Sequence, residues 1–374
     1  MSTEPVPSTS ARARRHSARD PRIEALRLIA IAGIAVFHTF QGPFAAATEG
    51  SWAPGAPALL VLGCVSLLGA YGNHVFFLIS GYFLVPRAAG HARDDAYWHD
   101  QALATVRRAA PILATVALYA LVALAVDAWV LPIESVGVDR FDWIVSGLQF
   151  IWVYLAVVVA TPVVGWVWAR VGRPRTAVAV IVAVVFAVNA YIAFVSPGGD
   201  ERGLLEWRKL MSAASYLAAF LVGGALAQRS LPHPEALLAV TGALALAVEA
   251  AAALTGNLTL LDALSFKSTS LLSFVLAVCS LAVAAAHPAV GAHPRAARLA
   301  CELTPSILGF YVAQSMFSQV WLPAVEGLMS AAGASAGVAG CLGAGVVASM
   351  ALLAVMLVAD RLVRVPILRA LRLA

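Results

Sequence analysis

Charge is what this chain most lacks. Asp, Glu, Lys and Arg make up 12% of its 374 residues, roughly half the share of a soluble domain. Hydrophobic residues make up 61%, and the mean hydropathy is +0.85. Length alone allows two soluble domains, but no stretch is polar enough to clothe one, so the chain reads as a single membrane domain. Cysteine is sparse as well. Cys64, Cys279, Cys301 and Cys341 lie far apart in or beside apolar segments, with no CxxC and no Cys/His pair at zinc spacing. That pattern argues against a disulfide framework or a structural zinc and leaves small apolar side chains. Gly-rich phosphate loops, zinc-protease motifs, sustained heptads and solenoid repeats are missing too.

What the chain has instead is long apolar runs. A helix needs about 20 such residues to cross the hydrocarbon core. Candidate spans fall at 23–40, 58–84, 104–126, 143–168, 177–195, 210–228, 237–254, 268–286, 304–328 and 336–360. Between them stand Pro54-Gly55, Pro132, Pro174, Pro197-Gly198-Gly199, Pro232, Pro288 and Pro294. The expectation is an all-α polytopic membrane protein of about ten transmembrane helices. A basic arm, 1–22, precedes them and carries Arg12, Arg14, Arg15 and Arg19 with too few apolar residues to bury, which predicts disorder. It is long for the n-region of a signal peptide, and no small-residue cleavage site follows the first apolar run, which reads as a retained anchor. The expected division is arm 1–22, membrane domain 23–362 and a short basic tail 363–374.

Lys and Arg collect in cytoplasmic loops, and that rule orients the helices. With the N-terminus inside, 20 of the 25 basic residues fall on the cytoplasmic side, among them Arg87, Arg93, Arg170, Arg173, Arg175, Arg229, Arg295 and Arg298. The other side receives Arg140, Arg202, Arg208, Lys209 and Lys267 together with Glu134, Asp139, Asp142, Asp200, Glu201, Glu206 and Asp262. The expected topology therefore puts both termini in the cytoplasm. The net charge of +5 is a topology signal, and no nucleic-acid partner is expected.

Strongly polar groups inside spans are costly and mark cavities or pathways. In IEALRLIAIAGIAVFH, the 11 steps from Arg27 to His38 return to within about 20° of one helical face and rise about 16 Å. Glu24 lies at i−3 from Arg27, the spacing of an ion pair. This stripe carries an ion pair at one surface and an imidazole deep in the bilayer, the best general base in the chain. Snorkelling accounts for Glu24 and Arg27 equally well, and helix packing for His38. The second span ends NHVFFLISGYFLV, where Asn73 and His74 demand partners and Ser80-Gly81 permits close approach of another backbone. No GxSxG elbow surrounds Ser80. The third span opens with Arg107-Arg108 before Pro111, either positive-inside residues or an anion site for phosphates.

These stretches together resemble the acyltransferase-3 family of bacterial membrane acyltransferases. Arg27 and His38 match its Arg-ten residues-His motif, with Glu24 at the acidic position, and FFLISGYFLV is similar to its "FFxxSGfll" segment. Weaker matches follow at Trp152, Tyr154, Tyr216–Gly224, Tyr311 and Pro366. Two positions depart: Thr105 stands where the family's paired-arginine motif has its first arginine, and Gln314 where the ninth helix often has histidine. The resemblance implies transfer of an acyl group, most often acetyl, from cytoplasmic acyl-CoA to a hydroxyl of a cell-surface or exported carbohydrate or glycolipid. It implies no permanently bound cofactor or metal, and residence in the bacterial cytoplasmic membrane among its lipids. Catalytic roles then fall to His38, Glu24 and Asn73, and donor binding to Arg27, Arg107 and Arg108. Two rivals stay open. One is a transporter or flippase using Glu249 and Asn189, against which the chain shows no inverted repeat and no paired broken helices. The other is an inactive scaffold.

Reporter fusions test the orientation. Those after Ser51, Glu134 and Gly199 are expected to report outside, and those after Arg93, Arg173 and Arg295 inside. Two or more inversions among the six would break the ten-span arrangement.

Overall fold

The computed structural model describes residues 20–139, 142–195, 201–265, 269–286 and 294–373, apart from the side chains of 201–206, 208, 265 and 294. The expected disordered arm therefore lies outside the described residues up to Arg19, as do Pro197-Gly198-Gly199, Pro288, Arg140, Lys267 and the side chains of Arg202 and Arg208. Everything regular among the described residues is helical. The order is α1 (Pro21–Thr48), α2 (Ala56–His91), α3 (Tyr97–Trp129), the single turn α4 (Asp142–Val145), α5 (Gln149–Trp168), α6 (Pro174–Phe194) and α7 (Glu201–Gln228). Then come α8 (Pro234–Thr255), α9 (Leu258–Ser265), α10 (Leu271–Ala286), α11 (Pro294–Leu303), a 3₁₀ turn (Thr304–Ser306), α12 (Ile307–Met316), α13 (Ser318–Leu362) and α14 (Arg364–Ala370).

Eight of the described helices are long and apolar enough to cross a bilayer: α1, α2, α3, α5, α6, the Lys209–Gln228 part of α7, α8, and the run Ser318–Ala370. The apolar α10 is shorter, at 16 residues. One division differs from the expected spans and one agrees with them. The stretch expected as one helix at 304–328 is a 3₁₀ turn, then α12, then a break at Phe317. Inside α13, Ala336 and Gly337 leave helical geometry, with Gly337 at φ 65°, where a side chain would be strained. α13 is thus two helices joined at a bend.

The surface confirms a lipid environment. Leu121, Val240, Val347 and Val355 are each about two-thirds exposed, a pattern a water-facing surface would not sustain over so many helices. The chain is an all-α polytopic membrane protein. Its polar side chains turn inward, since hydrocarbon offers them no partner. Among them are Thr39, bonded by Ser349 at 2.7 Å, and Asn189, which donates to Ser215 at 3.1 Å.

Helix α2 is the hub, packed on α1, α5, α7 and α10. Small residues set how closely its neighbours come. A Cβ at Gly81 would run into the carbonyl oxygen of Phe220 in α7, and one at Gly223 into that of Leu78. Gly33 of α1 sits against the backbone of Leu68 in the same way. In a bilayer, helix association relies on this kind of close packing.

Most of the expected basic tail, 363–374, is the helix α14. Arg364, Val365 and Leu368 of α14 are buried, and Arg364 grips Asp360 through Nε at 2.6 Å and Nη2 at 2.8 Å. Tyr119 donates to Asp360 at 2.8 Å, and Arg364 reaches Thr115 and the Pro305 carbonyl. Helix α14 is a built part of the bundle, because the buried Arg364 guanidinium is costly without acceptors such as Asp360, Thr115 and the Pro305 carbonyl.

Gly81→Ala is expected to destabilise the protein. Overpacking typically costs about 1–3 kcal/mol, and here the obstacle is backbone. Gly90→Ala in the same helix, with open space around it, serves as the control. Thermal unfolding in detergent should show a lowered midpoint for the first and little change for the second.

Candidate active site

Helix α1 carries both ends of the site. Asp20 caps its start, accepting from the Arg22 amide at 2.9 Å, a standard N-cap. One turn on, Arg27 Nη1 donates to both carboxylate oxygens of Glu24 at 3.2 Å. Glu24 is only 4% exposed. This is more than interfacial snorkelling, because the carboxylate is buried and fixes which way the guanidinium points.

Arg27 faces a cavity of about 380 Å³, within the roughly 300–1,000 Å³ typical of small-molecule sites. Arg108 of α3 faces it too, and the walls are mostly apolar: Phe83, Leu84, Ile112 and Val158 among them. Arg108 Nη1 is buried with no hydrogen-bond partner among the described residues. An unpaired buried guanidinium N–H is expensive, and an anionic ligand would remove the cost. Ser80 also lines this cavity. Its hydroxyl donates to the Phe76 carbonyl at 2.8 Å and lies 3.2 Å from the Tyr154 hydroxyl, so it is a packing and lining residue.

His38 opens onto a second, smaller cavity of about 180 Å³ with Gln41, Asn73, Gln149, Lys209 and Ser212. Asn73 Oδ1 is buried and without a hydrogen-bond partner among the described residues. The two cavities share a wall. Phe150 and Tyr311 line both, their ring centroids 4.6 Å apart. The His38 ring meets Tyr311 edge-on, centroids 6.2 Å apart. Around this pair stand Phe77, stacked on Tyr216 at 4.5 Å, and Tyr154. An aromatic partition thus separates an arginine-bearing chamber from an imidazole-bearing one.

The sequence-derived candidates divide accordingly. Arg27 and Arg108 share the first chamber, His38 and Asn73 the second, and Glu24 acts on Arg27 from outside both. Arg107 is not brought in: it is exposed and lines neither cavity. Adjacent helical residues point about 100° apart, so only one of a neighbouring pair can face the chamber. Thr105, one turn before Arg108, does not line it either. Gln314 is buried, with its amide donating to the Ala35 carbonyl at 3.4 Å, one turn before His38. It braces α1 and lines neither chamber.

Sequence reasoning missed Phe150 as a wall of both chambers, since no local period links it to the residues it faces. Asn189 and Glu249 lie elsewhere. Asn189 borders a cleft of about 10 Å³, barely room for one water, and the buried Glu249 abuts Gly63.

Apolar helices closed around a two-chambered interior define an integral membrane protein with a built site for a reaction or for binding. Residues 20–358 match the model of the acyltransferase domain family, nearly the whole chain, and the protein belongs to that family of membrane acyltransferases. No curated protein and no solved structure matches it.

Proposed function

We propose that the protein transfers an acyl group, acetyl in the first instance, from cytoplasmic acyl-CoA to a hydroxyl of an exported or cell-surface carbohydrate or glycolipid. In this reading it lies in the bacterial cytoplasmic membrane with the Arg27 end of α1 inward. The observation that carries the reading is the pairing of chambers, with Arg27 and an unpaired Arg108 on one side of Phe150 and Tyr311 and His38 on the other. Guanidinium groups suit the phosphates of a coenzyme A thioester, since their fork gives bidentate charge-assisted hydrogen bonds. The apolar walls suit its acyl arm. Glu24 holds Arg27 in place through the 3.2 Å contacts.

The acceptor hydroxyl enters the second chamber. Neutral His38 takes the proton as the hydroxyl oxygen attacks the thioester carbonyl carbon. The C–S bond then breaks, the acyl group passes to oxygen as an ester, and the proton held by His38 leaves with the coenzyme A thiolate. Asn73, aimed into the same chamber, orients the acceptor. The reacting atoms meet at the Phe150–Tyr311 pair, the only wall the two described chambers have in common.

The transporter reading finds less support. Of its two candidate residues, Asn189 borders a cleft of about 10 Å³ and Glu249 is buried against Gly63.

Two experiments bear on these roles. Arg108→Ala is expected to weaken acyl-CoA binding about tenfold or more, in line with hydrogen bonds to charged groups worth about 1.5–3 kcal/mol, with only partial rescue by Lys. Arg107→Ala should bind as the wild type does. Equal donor affinity in wild type and Arg108→Ala would remove this arginine from the site.

His38→Gln keeps polarity and approximate size but cannot act as the base. It is expected to fold and to bind acyl-CoA normally while losing transfer by about 10²–10⁴, the usual worth of general-base assistance. Transfer near the wild-type rate by the well-folded variant would reduce His38 to a packing residue.

A further inference from the structure

Two walls of the arginine chamber come from stretches far apart in the chain. Helix α3 supplies Arg108 and Ile112, while the 3₁₀ turn and the start of α12 supply Thr304, Ile307 and Leu308. Neither stretch is stiff by itself. Pro111 stands inside α3 and has no N–H to offer the Arg107 carbonyl, which softens the helix at the turn that carries Arg108. A 3₁₀ turn has poorer hydrogen-bond geometry than an α-helix. The direction of Arg108 and the spacing of the two walls are therefore set from outside.

Arg364 of α14 ties the walls together. Its Nη1 donates to the Thr115 hydroxyl at 3.2 Å, and that hydroxyl donates in turn to the Pro111 carbonyl at 2.7 Å. This arm of the contact ends on the proline, one turn after Arg108. Nη2 donates to the Pro305 carbonyl at 2.6 Å, between Thr304 and Ile307. Asp360 holds the guanidinium by two hydrogen bonds and accepts a third from Tyr119, further along α3. A Cβ at Gly309 would run into Asp360 and Arg364, so α12 rests directly on the pair. Both side chains are buried, and they line neither chamber. Well-packed apolar residues often stabilise a fold as well as a buried ion pair does, so stability alone is a weak account of this one. The far end of α12 has its own anchors, since Gln314 donates to the Ala35 carbonyl and Trp321 Nε1 to the Gln314 carbonyl. Loosening Arg364 thus falls on the donor walls and spares Tyr311 and His38.

We propose that Arg364 is a positioning residue for the acyl donor, clipping α3 to the 3₁₀ turn so that Arg108 is held toward the donor's phosphates. The proposal rests on the acyl-transfer reading and adds to it a residue outside the site that acts through Arg108. Asp360 orients the clip, and Thr115 passes its hold to the Pro111 turn.

The test uses full-length protein in lipid nanodiscs and two probes, acetyl-CoA and S-acetylpantetheine, which lacks the phosphates. Thr115→Val keeps the shape of the side chain and leaves Arg364 its bonds to Asp360 and Pro305. Arg364→Lys keeps the charge but cannot reproduce the fork. Each is expected to weaken acetyl-CoA binding about three- to tenfold and to leave S-acetylpantetheine binding unchanged. Because the clip acts through Arg108, Thr115→Val added to Arg108→Ala should cause no further loss. Thiol release from acetyl-CoA should show a raised KM at unchanged kcat. Gly223→Ala, strained against the Leu78 carbonyl, is the control for stability: it should lower the thermal midpoint without changing the ratio of the two affinities. Midpoints are measured on every preparation, and Thr115→Val decides the matter if Arg364→Lys does not fold. Equal losses for the two probes would overturn the clip, as would a loss that adds in full to that of Arg108→Ala. Acetyl-CoA affinity untouched by Thr115→Val overturns the clip alone; a wild-type protein that does not bind acetyl-CoA overturns the functional reading and the clip with it.

Discussion

The close approach of α2 to its neighbours is the constraint on which the rest of the structure depends. Gly81 and Gly223 bring α2 and α7 into backbone contact, and Gly33 does the same for α1 and α2. With no water to drive association inside a bilayer, this contact supplies dispersion that bulkier residues would forfeit. It also fixes the register of the site. Phe77 meets Tyr216 face to face only because α2 and α7 lie this close, and the aromatic partition is built outward from that stack. His38 and Arg27 inherit their positions from the seating of α1 on the other side of α2.

The interior is divided by charge as well as by aromatic rings. The described lining of one chamber carries Arg27 and Arg108, and that of the next carries amides, an imidazole and Lys209. Burial of Glu24 serves the same division: it sets one arginine and neutralises part of its charge, while Arg108 keeps a free N–H.

Much of this was legible before any coordinates. The apolar runs and their Pro/Gly punctuation mark the helices, because spanning a bilayer leaves little latitude in length or composition. The stripe joining Glu24, Arg27 and His38 follows from helical arithmetic, and the structure keeps the Glu24–Arg27 contact it predicts. The resolution of Arg107 from Arg108 was not legible, since both suit an inner surface and only the rotation of α3 chooses between them. Nor was the shared wall: Phe150 and Tyr311 are 161 positions apart in sequence, and no local period links them. The contacts of α14 were not legible either, for a physical reason. Arg364 reads as a surface cation until its i−4 partner Asp360 and its acceptors on α3 are seen.

That last pair has a consequence for how the protein is made. Asp360 and Arg364 belong to one stretch of chain and stand one turn apart, so they reach the membrane already joined. Each charge alone would be costly to pass into lipid; together they enter as a near-neutral dipole. Thr115 and Tyr119 on α3, synthesised some 240 residues earlier, are the groups that dock it. The contact between α3 and α14 therefore forms only after the helices between them have been made.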